Sequence, residues 1–494
     1  MSHPTSSSHL ETDLDPRRDT ALDSLALGVL LGAFAGTSLP ADYRDLLAAG
    51  LGGVCWFGAN AADGTDALAR LGQEVRAVSP RAVIAVDEEG GDVTRLHATG
   101  LSPVPGPAAL GAVDDTGLTR DVGRAVGAEL AAVGVNLDLG PVADVNTNPD
   151  NPVIGTRSFG ADPALVARHV AAWTEGLQQA GVAACVKHFP GHGDTAEDSH
   201  LALPTLAVDE GTMAERELVP FAAAVAAGTA AVMTSHILVP ALDPDLPATL
   251  SAPVLAQLRD RLGFDGVLVS DALDMAGASA GRGIPEASVL ALAAGVDLLC
   301  LGPERSAASV REVQAAIVGA VGEGRLSRER LAEAAARVGR LLDRLAPATP
   351  YDVDGDRLVA AARRALVVDG ELPDLAGALV VSVATEANIA VGDVPWGLPP
   401  DHAVDPSADP SADPSATDLP GVGPLVVQVR DAHRRPEVGA LLGRVAASGR
   451  PAVVVEWGWP GPYDGPLARI CTRGVSGPGV RAVTDLLQEK GWER

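Results

Sequence analysis

The chain has 494 residues, more than one ordinary domain holds, so two domains are the default expectation. Hydrophobic residues make up 47% of it and aromatic residues only 3%, so a large core must be built mainly from alanine, valine and leucine. With 37 Lys and Arg against 64 Asp and Glu, the net charge is −27. Such a surface repels phosphate backbones and anionic lipids, which argues against nucleic-acid or membrane binding.

The cysteines and the N-terminal segment bear on the cellular compartment. The four cysteines are Cys55, Cys185, Cys300 and Cys471. They form no CxxC or His/Cys zinc spacing, which fits a reducing compartment. An apolar run at 25–36 follows Arg17 and Arg18, which is a weak secretory pattern. Asp19 and Asp23, between the arginines and the apolar run, argue against it. We therefore expect a cytoplasmic protein, with export as the alternative, and no apolar stretch is long enough to span a bilayer.

Short apolar runs alternate with longer amphipathic ones up to about residue 346. The apolar runs, which predict strands, are 27–35, 52–58, 82–87, 135–141, 182–188, 230–236, 266–271 and 297–302. Stretches of helical character, such as 163–179 and 210–226, lie between them. Apolar strands that alternate with helices predict a parallel sheet covered by helices, and eight such units favour an α/β (β/α)8 TIM-like barrel. An open doubly wound sheet is the alternative.

The sequence predicts three regions: a disordered lead at 1–22, a catalytic barrel at 23–348 and a smaller α/β layered sandwich domain at 352–494. The boundary follows a helix at 326–345, capped by Ser327, and a proline-containing break. The predicted C-terminal strands are 365–368, 378–384, 425–429 and 452–456, and the predicted helices are 435–448 and 478–490. A polar tandem repeat, DPSADPSADPSA, predicts a flexible loop at 405–418.

Polar residues stand where the predicted barrel strands end, which is where barrels carry their catalytic groups. They are Asp87, Asp144, Arg157, Lys187, His188, His236 and Asp271. Because they follow five different strands, we expect them to converge on one rim and form a polar pocket. Asp271, at the end of VLVSD, is either a ligand-facing carboxylate or the cap of the next helix.

The loop after the fifth strand reads KHFPGHGDTAEDSH at 187–200. Its glycines, Gly191 and Gly193, would let it open and close over a ligand. Asp198 and His200 are two residues apart, which in extended backbone places both on one face, and the carboxylate would stabilise the charged imidazole. A solvated surface loop is the alternative. The histidine spacings do not match HExxH, and no lysine completes a phosphate loop, so we expect neither a metal nor a cofactor.

This loop closely resembles the signature of the β-N-acetylglucosaminidases of glycoside hydrolase family 3. Five more segments of that family occur in its order: VDEEGG at 86–91, GPVADV at 140–145, GTRSFG at 155–160, VMTSHI at 232–237 and SDALDM at 270–275. The resemblance covers the barrel, roughly residues 25–346. Glu88 departs from it, since many members have glutamine there, and we expect little consequence because Asp87 is kept.

The resemblance implies a role for each matching residue. Asp271 would be the nucleophile and His200 the general acid/base, assisted by Asp198. Asp87, Arg157, Lys187 and His188 would hold the hydroxyls of a terminal GlcNAc, while His236 and Met275 could equally be pocket wall. Because His200 belongs to the barrel, acid catalysis would not need the C-terminal domain, which could buttress the barrel, extend the aglycone site or mediate association. Trp457 and Trp459 could stack on sugar or pack in the core.

The resulting prediction is a retaining exo-β-N-acetylglucosaminidase that forms a covalent glycosyl-enzyme and acts on peptidoglycan fragments. Its two catalytic groups should lie about 5–5.5 Å apart. A dual β-glucosidase/N-acetylglucosaminidase and a phosphorylase of the same family are the enzymatic alternatives. A sugar-binding protein on a degenerate barrel is the other alternative, against which the intact Asp271, Asp198 and His200 argue. The expected partner is a small GlcNAc-containing saccharide, and the sequence does not indicate an oligomeric state.

Overall fold

The structure, a computed structural model of the chain, describes residues 19–196, 203–385, 388, 390–392, 394–407 and 419–493. Eight parallel strands form its larger sheet: β1 Leu30–Gly32, β2 Gly53–Trp56, β3 Val83–Val86, β4 Leu137–Asp138, β5 Ala183–Phe189, β6 Ala231–Thr234, β7 Val267–Val269 and β8 Leu299–Cys300. They lie in the order β7-β6-β5-β4-β3-β2-β1-β8. Each strand is buried and most of their residues are apolar, as strands covered on both faces should be, although β4 ends in Asp138 and β5 contains Lys187 and His188 near its end.

The two ends of this sheet meet. A parallel bridge joins Val269, in β7, to Leu298, just before β8. The backbone N–H of Ser270 donates to the Leu298 carbonyl at 2.9 Å, and that of Asp297 donates to the Leu268 carbonyl at 2.8 Å. The sheet is therefore closed, the predicted (β/α)8 barrel is confirmed, and the open-sheet alternative is wrong.

Helices cover the outside of the barrel. They are Ala41–Ala48, Thr65–Val78, Pro107–Val113, Thr116–Val133, Pro163–Gln179, Leu218–Ala226, Ala252–Ala256, Ala276–Ser279, Gly283–Ala294 and Ala307–Gly322. Leu218–Ala226 is preceded by a short turn of helix, Glu210–Thr212, and a π-turn, Met213–Glu217, while a second π-turn, Gln257–Arg261, follows Ala252–Ala256. Within the described ranges, no helix is both long enough and apolar enough to cross a membrane.

Two of these helices, Thr116–Val133 and Pro163–Gln179, approach each other through glycine. A Cβ on Gly123 would lie 2.7 Å from a backbone carbonyl oxygen of the facing helix, and a Cβ on Gly176 would lie 2.0 Å from one. Real Cβ atoms do not come so close, so these positions accept only glycine at this helix separation. The close approach lets a chain with few aromatic residues fill space with backbone instead of large side chains.

Two further helices lie outside the eight-unit pattern. Thr20–Gly28 precedes β1, and Arg328–Arg340 follows the barrel. Val338 in the latter and Leu341 just after it belong to the apolar cluster that fills the barrel interior. The oxygen of Ser327 accepts the N–H of Arg330 at 3.0 Å, so the predicted cap is present. The helix Arg328–Arg340 thus helps to close one end of the barrel.

The first predicted strand is partly wrong. The apolar run at 27–35 contains the end of the helix Thr20–Gly28 as well as β1. That helix begins within the predicted lead at 1–22, because Asp19 accepts the N–H of Leu22 at 3.0 Å and caps it. Both helix and strand are buried, so their residues form one apolar run, and apolarity alone does not separate them.

A second sheet follows in the C-terminal part. Its strands are β9 Val367–Asp369, β10 Leu379–Val383, β11 His402–Val404, β12 Leu425–Val429, β13 Ala452–Glu456 and β14 Ala468–Cys471. The order is β9-β14-β13-β12-β10-β11, parallel except that β9 runs antiparallel to β14. The helices of this part are Gly355–Ala365, Pro436–Ala447 and Gly477–Gln488. The predicted sequence elements matched four of these six strands and missed β11 and β14.

Helices pack on both faces of this sheet, as a layered α/β sandwich requires. Leu487 of the last helix lies in one apolar cluster with Val453. Leu441 lies in the cluster on the opposite face with Val454. Trp457 is fully buried in the first cluster, so it packs in the core and does not stack on sugar. The repeat residues 408–418 of the predicted loop lie outside the described ranges.

Candidate active site

A cavity of about 390 Å³ lies at the C-terminal ends of the barrel strands. The predicted site residues among those that line it are Asp87, Arg157, Lys187, His188, Asp271 and Met275. They come from the ends of β3, β5 and β7 and from the loops after β4 and β7. The barrel therefore brings residues that are far apart in sequence to a single pocket, on the rim where the sequence predicted one.

A buried ion-pair network forms one wall of this pocket. The Lys187 Nζ lies 2.6 Å from Asp87 Oδ1 and 2.6 Å from Glu89 Oε1. Arg157 donates twice to the same glutamate, from Nε to Oε2 at 2.8 Å and from Nη2 to Oε1 at 2.7 Å. Glu89 thus joins the two cations, and its bidentate contact fixes the plane of the guanidinium.

The charges of this network hold one another in place. Burial alone would raise the pKa of Glu89, but Arg157 and Lys187 outweigh it and keep that pKa well below its usual value. Burial likewise disfavours the charged form of Lys187, but Asp87 and Glu89 raise its pKa above the ordinary value. Glu89 and Lys187 therefore both favour their ionised forms and hold each other in fixed positions. Such a wall suits a ligand with several hydroxyl groups, each of which can donate and accept.

His188 stands beside this network and is oriented by a second buried carboxylate. Its Nδ1 lies 2.7 Å from Asp144 Oδ2, and its Nε2 lies 3.5 Å from Arg157 Nη2. Burial would raise the pKa of Asp144, but the neighbouring His188 outweighs it and lowers that pKa. The carboxylate fixes the ring, because it accepts a hydrogen bond from the Nδ1–H and so turns Nε2 toward the pocket.

The first part of the loop at 187–200 is firmly held. The Asn151 side chain donates to the His192 carbonyl at 2.8 Å, and Thr147 donates to Asp194 Oδ1 at 2.9 Å. A Cβ on Gly193 would lie 1.9 Å from the backbone oxygen of Val145. The loop after β4 is therefore packed against this segment so closely that position 193 requires glycine.

His192 lies within the same segment and lines the pocket. Its Nδ1 is 2.6 Å from the Thr195 hydroxyl, and its backbone N–H donates to Asp144 Oδ1 at 2.7 Å. Burial lowers the pKa of His192 to about 4, so its ring is neutral at physiological pH. A neutral imidazole here adds no repulsion to the nearby Arg157 and His188.

Asp271 lies in the loop after β7 and faces the pocket. Its Oδ1 accepts the N–H of Ala272 at 2.8 Å. The next helix begins at Ala276 with Met275 at its cap position, so the helix-cap alternative for Asp271 is wrong. This hydrogen bond orients the Asp271 carboxylate within the pocket.

His236 and Met275, the two residues predicted as possible wall, are placed differently. Met275 lines the cavity. His236 is fully buried, with Nε2 3.0 Å from the Ala272 carbonyl and Nδ1 2.9 Å from the Thr249 hydroxyl. Among the described residues, it is not part of the cavity lining. It contacts the peptide that follows Asp271 and so supports that loop from behind.

The predicted acid/base pair, Asp198 and His200, lies outside the described residues. Asp194 and Thr195, a few positions earlier, are held as described above. The roles of Asp198 and His200 therefore remain predictions from the sequence.

Several residues that line the pocket were not among the predicted site residues. They are Cys55, Phe57, Glu89, Arg95, Leu139, Val153, Met233, Ala272, Asp274, Cys300, Pro303 and Ala390. A buried lysine and a buried arginine in one pocket need more than one carboxylate, so the sequence could have indicated a second acidic residue but not that this residue is Glu89. Ala390 had none, since it belongs to a small-residue segment of the C-terminal part. Glu88, the residue that departs from the family, turns away and accepts the N–H groups of Arg95 and Leu96.

The chain belongs to glycosyl hydrolase family 3. Residues 39–341, which span β2 to the end of the barrel, match the model of the glycosyl hydrolase family 3 N-terminal domain. This match confirms the family predicted from the loop at 187–200 and makes the chain a glycoside hydrolase.

Relatives and solved structures of similar sequence agree with this family assignment. The chain is 40% identical over 296 residues to a beta-hexosaminidase of Thioalkalivibrio sulfidiphilus, which covers 57% of this chain and 83% of that protein. It is 34% identical over 337 residues to beta-hexosaminidase A of Pseudoalteromonas piscicida, which covers 63% of this chain but 56% of the longer relative. A family 3 beta-N-acetylglucosaminidase from Paenibacillus sp. superposes with a TM-score of 0.83 at 31% identity and covers 95% of this chain and 97% of its own.

Proposed function

We propose that the chain is a retaining exo-β-N-acetylglucosaminidase that removes terminal GlcNAc from β-linked glycoconjugates. The observation that carries the proposal is the pocket, in which Asp271 faces the network of Asp87, Lys187 and Arg157. The β-hexosaminidase relatives and the Paenibacillus β-N-acetylglucosaminidase support the same class of substrate.

The chemistry follows from a carboxylate and an imidazole on opposite sides of one anomeric bond. The Asp271 carboxylate attacks the anomeric carbon while the bond to the aglycone oxygen breaks, and His200 gives that oxygen its proton. A water molecule then attacks the glycosyl-enzyme and gives a proton to His200, which releases GlcNAc and restores both groups. Each step inverts the anomeric carbon, so the overall result is retention.

The pocket also supports the exo mode of action. The barrel core closes its floor, since Leu139 and Met233 line the cavity and belong to the apolar interior cluster. A sugar chain cannot pass through such a pocket, so only a terminal residue enters. Asp87, Arg157, Lys187 and His188 would hold the hydroxyls of that residue, as the family resemblance implies.

We further propose that the natural substrates are peptidoglycan fragments that carry GlcNAc on an N-acetylmuramic acid derivative, and that the protein acts in the cytoplasm. The resemblance of the loop at 187–200 to the family's β-N-acetylglucosaminidases supports this choice. The strongly acidic chain fits a small saccharide better than a polyanion, because its net charge of −27 would repel the latter.

Turnover of a nitrophenyl β-GlcNAc tests the nucleophile. We expect Asp271→Ala to reduce kcat by at least about 10⁴-fold, because the covalent step is lost. Asp260→Asn, on the exposed surface of the barrel, should retain wild-type activity. NMR of the first product formed by the wild type should show the β-anomer. An α-anomer would contradict retention, and a sugar 1-phosphate formed in phosphate buffer would reject hydrolysis.

The same assay tests the acid. For His200→Ala we expect a large loss of kcat on substrates with poor leaving groups and a much smaller loss on nitrophenyl substrates, which need the proton least. An equal loss on both kinds of substrate would contradict the role of His200 as the acid.

A further inference from the structure

A second cavity, here called the cleft, lies between the barrel and the second sheet, outside the pocket around Asp271, here called the sugar pocket. It measures about 680 Å³. The barrel contributes the loop at 151–157, and the C-terminal part contributes residues from three stretches, 384–396, 405–407 and 430–437. The cleft is larger than the sugar pocket, which measures about 390 Å³, and nothing in the proposed chemistry uses it.

The cleft and the sugar pocket share a wall. Arg157 lines both cavities. Ala390 lines the sugar pocket and its neighbour Val391 lines the cleft, so this short segment of the C-terminal part separates the two. Arg95 fixes the segment by donating to the Ala390 carbonyl at 2.6 Å and to the Val391 carbonyl at 3.1 Å. The cleft therefore lies directly beside the sugar pocket, within reach of a glycoside whose terminal sugar fills that pocket.

Three arginines of the C-terminal part line the cleft, and they differ in their partners. Arg430 forms an ion pair with Asp92 at 2.7 Å, and Arg435 forms one with Glu437 at 2.9 Å. Arg434 donates to the Asn151 carbonyl at 3.3 Å and, within the described residues, forms no ion pair. It is exposed to the cleft. A guanidinium has five N–H donors, so Arg434 keeps most of its donors and its whole charge for a ligand.

The acidic residues of the cleft are already engaged. Besides Glu437 these are Asp405 and Asp431. Asp431 Oδ1 accepts the N–H of Trp459 at 2.9 Å, and Asp405 Oδ1 accepts the hydroxyl of Ser407 at 2.6 Å. Both carboxylates are turned toward these donors, whereas the Arg434 guanidinium pairs with no carboxylate among the residues that the structure describes. Although the chain has a net charge of −27, Arg434 gives this cleft a cation that could bind an acidic ligand.

We propose that this cleft binds the aglycone and that Arg434 selects aglycones that carry a carboxylate. The proposal rests on the proposed glycosidase function and deepens it. An arginine holds a carboxylate through two parallel hydrogen bonds, a geometry that a neutral sugar cannot supply. The carboxylate could belong to the acid side chain of an adjoining N-acetylmuramic acid or to a peptide attached to it. The C-terminal part would thus determine specificity, while the barrel performs the chemistry.

Kinetics on matched substrates test the proposal. The neutral substrates are nitrophenyl β-GlcNAc and chitobiose, and the acidic ones are GlcNAc-β-1,4-MurNAc and the same disaccharide carrying a peptide. For Arg434→Gln we expect kcat/KM on an acidic substrate to fall about tenfold, mainly through KM, with both neutral substrates unchanged. Arg434→Lys should recover part of the loss. Arg444→Gln, an exposed arginine of the helix Pro436–Ala447, is the control and should change nothing.

The outcomes separate the two proposals. A loss confined to the free disaccharide acid identifies the muramic carboxylate, and a loss confined to the peptide form identifies a peptide carboxylate. Equal changes on acidic and neutral substrates, or none on either, would overturn the role of Arg434 while leaving the glycosidase intact. If the wild type hydrolyses no β-GlcNAc substrate at all, the proposed function itself fails.

Discussion

At the scale of single residues, Glu89 is the centre of the sugar pocket. Among the described residues it alone forms ion pairs with both Lys187 and Arg157, and its side chain is 1% exposed. The sequence identified both cations and Asp87, because they follow strand ends and match family segments. It did not identify Glu89, which lies among acidic neighbours in DEEGG with nothing to distinguish it. Which of adjacent carboxylates turns inward is decided by the backbone after β3, and residue type does not reveal it.

We predict that Glu89→Gln destabilises the protein by about 3 kcal/mol, because it leaves two buried cations with one carboxylate fewer. KM should rise as well, since Arg157 loses its bidentate partner. Urea unfolding at neutral pH measures the first effect and steady-state kinetics the second. The control is Glu88→Gln, whose amide oxygen can still accept the N–H groups of Arg95 and Leu96. If both variants lose stability equally, the network does not depend on Glu89.

At the scale of elements, the π-turn Met213–Glu217 matters most for the site. It directs two successive side chains, Arg216 and Glu217, toward the catalytic loop. Arg216 donates to Glu217 at 2.6 Å and to Asp194 at 2.6 Å. Glu217 is fully buried against Gly191, whose φ of +135° and missing side chain make room for it. Helical periodicity predicted the helix here but not the π-turn, which no simple sequence pattern indicates.

Glu217 should make stability depend on pH. Burial raises its pKa from 4.5 to about 7, although Arg216 opposes the shift. Because the folded pKa is the higher one, its stabilising contribution is present below pH 4.5 and is lost as the pH rises to about 7. We expect Glu217→Gln to remove this dependence, worth at most about 3 kcal/mol between pH 4.5 and 8.

Urea unfolding at several pH values compares that variant with the wild type and with Glu215→Gln, an exposed neighbour. The Glu215 variant should keep the wild-type slope of unfolding free energy against pH. An unchanged slope in the Glu217 variant would mean that other groups cause the dependence.

The two strands that the sequence did not predict, β11 and β14, were missed for a common physical reason. β11 has three residues, and β14 carries Arg469 beside its apolar positions. Short or mixed strands are defined by their neighbours in the sheet, since their own side chains give too little alternation to detect. The long buried strands β12 and β13, in contrast, were predicted with their full bounds, 425–429 and 452–456.

At the scale of the whole molecule, one buried carboxylate ties the barrel to the second sheet. Asp92 Oδ1 contacts Arg430 at 2.7 Å and accepts the N–H of Val475 at 3.2 Å, while its Oδ2 accepts the Thr156 hydroxyl at 2.6 Å. The partners belong to both parts of the chain. The sequence predicted the two parts but not their junction, because contacts between distant segments leave no local pattern.

We predict that Asp92→Asn lowers the free energy of unfolding by roughly 2–4 kcal/mol, because the partly buried Arg430 loses its counter-charge. Hydrogen exchange should also become faster at Ala390 and Val391, which lie between the two cavities. Calorimetry and exchange mass spectrometry measure these effects. Asp464→Asn, at an exposed loop position, should leave both measurements unchanged. Unaltered exchange in the Asp92 variant would show that the wall is held independently of this junction.

The glycine contacts between Thr116–Val133 and Pro163–Gln179 carry a consequence for sequence change. Where two backbones touch, even one added methyl group must push whole helices apart, and the strands beneath them would have to follow. The outer layer is therefore as intolerant of enlargement at these points as the interior is. Diversity in this scaffold should accumulate instead in loops and on the charged exterior, where volume can be added without moving a neighbour.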